Sequence, residues 1–116
     1  MYIGNQVGIH LIVNVYDVPD KNRLEYLTTG LPLLDRVVKA LQLTVVSQTG
    51  HQFTPTGYSY AYVLSESHFT IHTYPEYKSC YIDIFCCNPD FDSRRAVELI
   101  QHAFDTSDVR YQVINR

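Results

Sequence analysis

The sequence predicts an α+β domain: a two-layer sandwich in which a largely antiparallel β-sheet carries two helices on one face. Three observations predict it. Ten tyrosines and five phenylalanines without a tryptophan, with 46% hydrophobic residues overall, favour strands over a helical bundle. Six short runs alternate or are rich in β-branched residues, and two longer stretches repeat their apolar positions every three or four residues. The resulting order, β-α-β-β-β-β-α-β, contains no linker or low-complexity segment, so residues 1–116 read as a single domain.

The elements follow in order. "GIHLIVNVY" (8–16) is a strand, ended by the turn chemistry of "DVPDKN" (17–22). Leu24, Leu27, Leu31, Leu34, Val38 and Leu41 then recur at helical spacing. Because Pro32 suits only a first turn, the ordered helix is expected to begin at Gly30 or Leu31, with room for a short helical stretch before it. "LTVVSQTG" (43–50) is the second strand, "HQFTPTG" a loop or irregular extension, and "YSYAYVLS" (58–65) the third strand. "SHFTIHTY" (67–74) alternates again and stops at Pro75, which cannot donate to a ladder. "SCYIDIFCC" (79–87) is the next strand, followed by the turn "NPD". "DSRRAVELIQHAF" (92–104) places Ala96, Val97, Ile100, Ala103 and Phe104 on one helical face, with Asp92 or Ser93 as cap. "DVRYQVIN" (108–115) is the last strand. The strand faces that the helices leave open are far from polar, and a homodimer packing sheet to sheet would cover them.

Composition excludes several functions. A formal charge of −3 argues against nucleic acid as partner. No run reaches the roughly 18–20 apolar residues that span a bilayer, and the amino terminus lacks a basic-then-apolar leader, so no membrane is expected and a cytoplasmic location is. Cys80, Cys86 and Cys87 form an odd set unlike a disulfide framework. Adjacent Cys86 and Cys87 face opposite ways on a strand and no CxxC spacing occurs, so no metal is expected.

The chemistry concentrates in "LSESHFTIHTYPEY" (64–77), which sets two serines, two histidines and two glutamates along a strand. Alternation puts Ser67, Phe69, Ile71 and Thr73 on one face and His68, Thr70, His72 and Tyr74 on the other. Ser67 and His72 therefore do not form a serine–histidine pair within a regular strand, and no GxSxG elbow is present. From spacing alone these side chains read first as hydrogen-bonded structural residues.

"SESHFTIHTYPEYKSCYIDIFCC" (65–87) closely resembles the signature of the prokaryotic S-adenosylmethionine decarboxylases. "GIHLIVNVY", with its Gly-x-His-Leu pattern, and "HQFTPTGYSYAYVLSES" are similar to that family's first strand and to its approach to the processing site. The resemblance implies a self-made cofactor. The Glu66–Ser67 bond would cleave itself through attack by the Ser67 hydroxyl, leaving residues 1–66 as a β-chain and 67–116 as an α-chain that begins with a covalent pyruvoyl group. It implies His72 as the base that removes the α-proton and Ser59 as its helper. Ser59 would come from the adjacent strand, and His72 by a local kink or from a neighbouring site. The pyruvoyl carbonyl would take the place of pyridoxal phosphate, forming a Schiff base with the substrate amine and acting as electron sink. Cys87 would return a proton to the product, since a thiol is largely protonated at neutral pH. Cys80 and Cys86 read as buried structural thiols. Phe53 and Tyr74 would sandwich the adenine of S-adenosylmethionine, and Glu76 would hold its ribose. Tyr74 stands where the family commonly has tryptophan, and Asn14 where it often has an acid.

The implied product, decarboxylated S-adenosylmethionine, is an aminopropyl donor for spermidine synthesis. Tyr74 and Asn14 keep a basic amino acid, arginine or ornithine, open as the substrate of the same chemistry. An unprocessed, non-catalytic homologue is the reading from another class.

Overall fold

The β-branched and aromatic runs become strands because their side chains pack on a pleated, half-buried surface. In the computed structural model, which describes residues 7–116, the sheet comprises β1 (Ile9–Val15), β2 (Val45–Gln52), β3 (Tyr58–Leu64), β4 (Ser67–Tyr74), β5 (Ser79–Cys86) and β6 (Val109–Asn115). Their spatial order is β2-β3-β4-β5-β1-β6, and every neighbouring pair is antiparallel. The helices are α1 (Asn22–Glu25), α2 (Leu27–Ala40) and α3 (Ser93–Phe104), with one 3-10 turn at Pro75–Tyr77. Among the described residues no helix is long and apolar enough to cross a membrane.

Alternation sorts the sheet into two faces. Leu11, Val13, Val15, Tyr58, Tyr62, Phe69, Ile71, Ile82 and Ile84 are buried, and they form one core with Leu24, Leu34, Ile100 and Phe104 from the helices. Three buried or half-buried polar groups fix how the helices lie on this face. Tyr58 donates its phenol to the Arg23 carbonyl (2.7 Å), and Tyr62 donates to Asp35 (2.5 Å). The buried Thr73 hydroxyl donates to the Leu24 carbonyl (2.7 Å) and accepts from the Tyr58 N–H (2.9 Å). Burial pushes the Tyr58 and Tyr62 phenols well above the ordinary tyrosine range, so both stay neutral donors.

Two sequence expectations need correction. The second helix begins at Leu27, not at Gly30 or Leu31, and Pro32 lies inside it. Tertiary packing decides this: Gly30 sits against the Tyr58 ring, where any Cβ would collide. β2 runs to Gln52 rather than ending at residue 50, because His51 and Gln52 pair with Ser59 and Tyr58. The cap of α3 is as expected, with Asp92 accepting from the Arg95 N–H at 3.1 Å.

Candidate active site

Leu64 pairs with Ser67, so Ser65 and Glu66 form a two-residue hairpin loop between β3 and β4. Short hairpin loops favour residues that tolerate positive φ, and here that demand falls on Ser67, at φ 144°. A serine in this region carries strain on the order of 1–3 kcal/mol. The bond on its amino side is held from both flanks. The Cys87 N–H donates to the Glu66 carbonyl oxygen at 2.8 Å. The Glu66 side chain accepts from the Thr44 N–H at 3.0 Å, and Ser65 N–H donates to the Thr44 carbonyl at 2.9 Å. Donation from Thr44 holds the Glu66 carboxyl below the ordinary glutamate range. Gly8 lets β1 start against this corner, since a Cβ there would stand 2.6 Å from the Cys86 carbonyl oxygen.

Chemically, the corner holds a hydroxyl next to a carbonyl whose oxygen already faces a fixed N–H donor. Such a donor can stabilise negative charge that develops on the oxygen in an acyl transfer. Cys87 has its thiol exposed, while Cys80 and Cys86 are buried and burial raises both of their pKa values. The two buried thiols are packing groups, and Cys87 is the accessible one.

The other expected residues gather at the far end of β4. Ser59 pairs with His72 across β3–β4, and the Ser59 hydroxyl and His72 Nδ1 are hydrogen-bonded at 2.7 Å. They line a shallow open pocket of about 300 Å³ with Thr49, His51 and Thr70. Tyr74 lies edge-on to Tyr81, with ring centroids 5.7 Å apart. Phe53 donates its N–H to the Gly57 carbonyl (2.7 Å), and Gly57 abuts Pro75, beside Tyr74 and Glu76. Phe53 and Tyr74 are 47% and 44% exposed, which leaves ring faces open for stacking.

The ladder corrects how these groups were expected to meet. β4 keeps unbroken register with β5 from Ser67↔Cys86 to Tyr74↔Ser79, so no local kink brings His72 to Ser67. Five residues at about 3.3 Å each put His72 about 16 Å from Ser67. Ser59, expected beside Ser67 from the adjacent strand, is opposite His72 instead. One chain therefore holds the expected residues in two groups at opposite ends of β4.

Sequence reading missed two contributors to the Ser67 corner, the Cys87 N–H and the Thr44 N–H. Both are main-chain groups, so no side-chain pattern marks them. It also passed over Asp83, which hydrogen-bonds His10 and approaches His68 at 3.7 Å. The available signal was its place between Tyr81 and Phe85 on the alternation of β5.

Comparisons with known proteins agree with this geometry. Residues 9–116 match the family model described as S-adenosylmethionine decarboxylase. The chain is 37% identical over 94 residues to an S-adenosylmethionine decarboxylase proenzyme of Clostridium botulinum (strain Loch Maree / Type A3), covering 81% of this chain and 80% of that protein. It is 36% identical over 116 residues to the proenzyme of Hydrogenobaculum sp. (strain Y04AAS1), covering 98% and 84% respectively. The crystal structure of the adenosylmethionine decarboxylase from Aquifex aeolicus VF5 superimposes with a TM-score of 0.88 at 28% identity, over 97% of this chain and 92% of that one. A family model matching residues 9–116, with relatives 36–37% identical over most of their length, means that the chain belongs to the S-adenosylmethionine decarboxylase family.

Proposed function

We propose that this chain is a self-processing decarboxylase of S-adenosylmethionine, cleaving itself between Glu66 and Ser67 to make its own pyruvoyl group. The observation that carries the reading is the Glu66–Ser67 junction, a strained serine following a carbonyl that is held by the Cys87 N–H. Ser67 Oγ attacks the Glu66 carbonyl carbon and gives up its proton to a base, while the oxyanion forms against the Cys87 N–H. Collapse breaks the C–N bond and protonates the released Ser67 amine, leaving Glu66 esterified to Oγ. Removal of the Ser67 α-proton then expels the Glu66 carboxylate and leaves dehydroalanine. Water enters, ammonia leaves, and residue 67 becomes pyruvoyl.

His72 is the base for the α-proton, oriented by Ser59 through Nδ1 so that Nε2 is available. At about 16 Å it cannot reach Ser67 of its own chain. A homodimer packing sheet to sheet about a two-fold axis, each copy reversed on the other, lays the His72 end of one protomer over the Ser67 end of its partner. The open face supports this arrangement, with Val63, Tyr74 and Tyr81 exposed on it.

The pyruvoyl group, when present, supplies the electron-withdrawing carbonyl through which carbon dioxide is lost. Phe53 and Tyr74 hold the adenine between their rings, Glu76 accepts from the ribose hydroxyls, and the Cys87 thiol delivers the proton that completes the product. That product serves as aminopropyl donor for spermidine synthesis. Intact mass under denaturing conditions tests the reading: fragments of residues 1–66 and 67–116, with residue 67 lighter than serine, are expected. A preparation that stays whole and releases no carbon dioxide from S-adenosylmethionine overturns it.

A further inference from the structure

We propose that His10, His68 and Asp83 form a binding site for a divalent transition-metal ion such as zinc or cobalt on the open face of the sheet. The three residues lie on adjacent strands: His10 on β1, Asp83 on β5 and His68 on β4. In the ladder both histidines pair with Phe85, and Asp83 stands two residues from Phe85 along the same strand, so all three project from one face. Their nearest ligand atoms lie within 4.8 Å of one another. One carboxylate oxygen serves both rings: Asp83 Oδ1 is hydrogen-bonded to His10 Nε2, and His68 Nε2 is 3.7 Å from it. The rings meet edge to face, 6.1 Å apart.

Two imidazole nitrogens and one carboxylate oxygen are the three-ligand set of open zinc sites. Bonds of about 2.0–2.2 Å hold such ligand atoms roughly 3.4 Å apart, a separation that small side-chain rotations reach here. Imidazole favours zinc, cobalt, nickel or copper over magnesium and calcium, which take all-oxygen shells. Three hydrogen-bonded strands supply the rigidity that surface clusters lack. The fourth position points to the uncovered side, where water or a second protein copy completes it. Sequence spacing could not show the site, because its ligands are far apart in the chain and no CxxC or HxxxH run marks them.

Arg116 opposes the metal and sharpens the test. Its guanidinium lies over the Phe85 ring at 5.0 Å, and Nη1 is 3.3 Å from His10 Nδ1. Arginine only donates, so without metal His10 accepts at Nδ1 and its Nε2–H points to Asp83. A bound ion displaces that proton, Nδ1 becomes the protonated nitrogen, and the guanidinium must give way.

The test is a cobalt(II) titration of the full, chelator-stripped chain, read by ligand-field absorption. One ion per chain is expected. His68→Ala and Asp83→Asn weaken it by more than the roughly 10–100-fold cost of losing an outer-shell partner. Arg116→Gln tightens it several-fold, an outcome that damage to the fold does not produce. No visible bands, bands unchanged in the His68→Ala/Asp83→Asn double variant, or a sulfur charge-transfer band pointing to Cys87 overturns the proposal. Neither cleavage nor decarboxylation enters the readout, so the fate of the functional reading is decided separately.

Discussion

At the Ser67 end of β4 the groups that matter are largely main-chain: a positive φ, a carbonyl, and N–H donors from Cys87 and Thr44. At the His72 end they are side chains: an imidazole bonded to a serine, two open aromatic rings and a glutamate. In the proposed function the first end would break a peptide bond, and the second would move protons and hold a flat ligand. Their difference teaches that, under the proposed function, neither end would be complete alone. In the proposed reading, His72 stands about 16 Å along β4 from the Ser67 bond on which it would act.

Breaking the Ser67 end gives the largest effect. Ser67→Ala removes the nucleophile, and intact mass is expected to show one uncleaved chain with no decarboxylation. Crossing the two ends comes next. Ser67→Ala and His72→Ala are each expected to stay uncleaved alone, but to yield cleaved His72→Ala chains when co-expressed, because one mixed site is then complete. Absence of cleaved chains in mixed dimers would rule out sharing between protomers.

The two roles proposed for Cys87 can be tested separately. Cys87→Ala keeps the N–H and should cleave normally, while turnover falls by about 100- to 10,000-fold. Cys87→Pro removes the donor and should slow self-cleavage by about 100- to 1,000-fold, followed by mass over time with circular dichroism as the control for folding. A proline variant that cleaves at the normal rate while folded would show that the carbonyl contact is only structural.

At the far end, Tyr74→Ala should raise KM roughly 2- to 12-fold, matching about 0.5–1.5 kcal/mol of lost stacking, while cleavage proceeds unchanged. The smallest effect belongs to Glu66. Its folded pKa lies below the ordinary value, so the Thr44 contact stabilises above the ordinary glutamate range and is lost as pH falls through the lowered value. Glu66→Gln, whose amide oxygen still accepts from Thr44, should flatten that acid dependence in thermal melts and change little else.

Much of the architecture was legible in the sequence, because alternation reports burial directly: Phe69, Ile71 and Thr73 face the helices, and His68 and His72 do not. The start of α2 was not, because the proline rule is local whereas the Gly30–Tyr58 contact joins distant residues. Ser67, Cys87 and His72 could be named from their motif, but motif position carries no distance. Strand register supplied it, and separated residues that stand five apart in the chain. Asp83 escaped notice because a lone acid in a strand becomes chemically interesting only once His10 and His68 lie beside it.

The strand order has a consequence for what the proposed cut would do. Residues 1–66 contribute β2, β3 and β1, and residues 67–116 contribute β4, β5 and β6, so the sheet reads first, first, second, second, first, second. β1 is threaded between β5 and β6, and the two pieces share three seams, β3–β4, β5–β1 and β1–β6. If the proposed cut is made, unfolding would release two separate pieces, and refolding would become a bimolecular, concentration-dependent event.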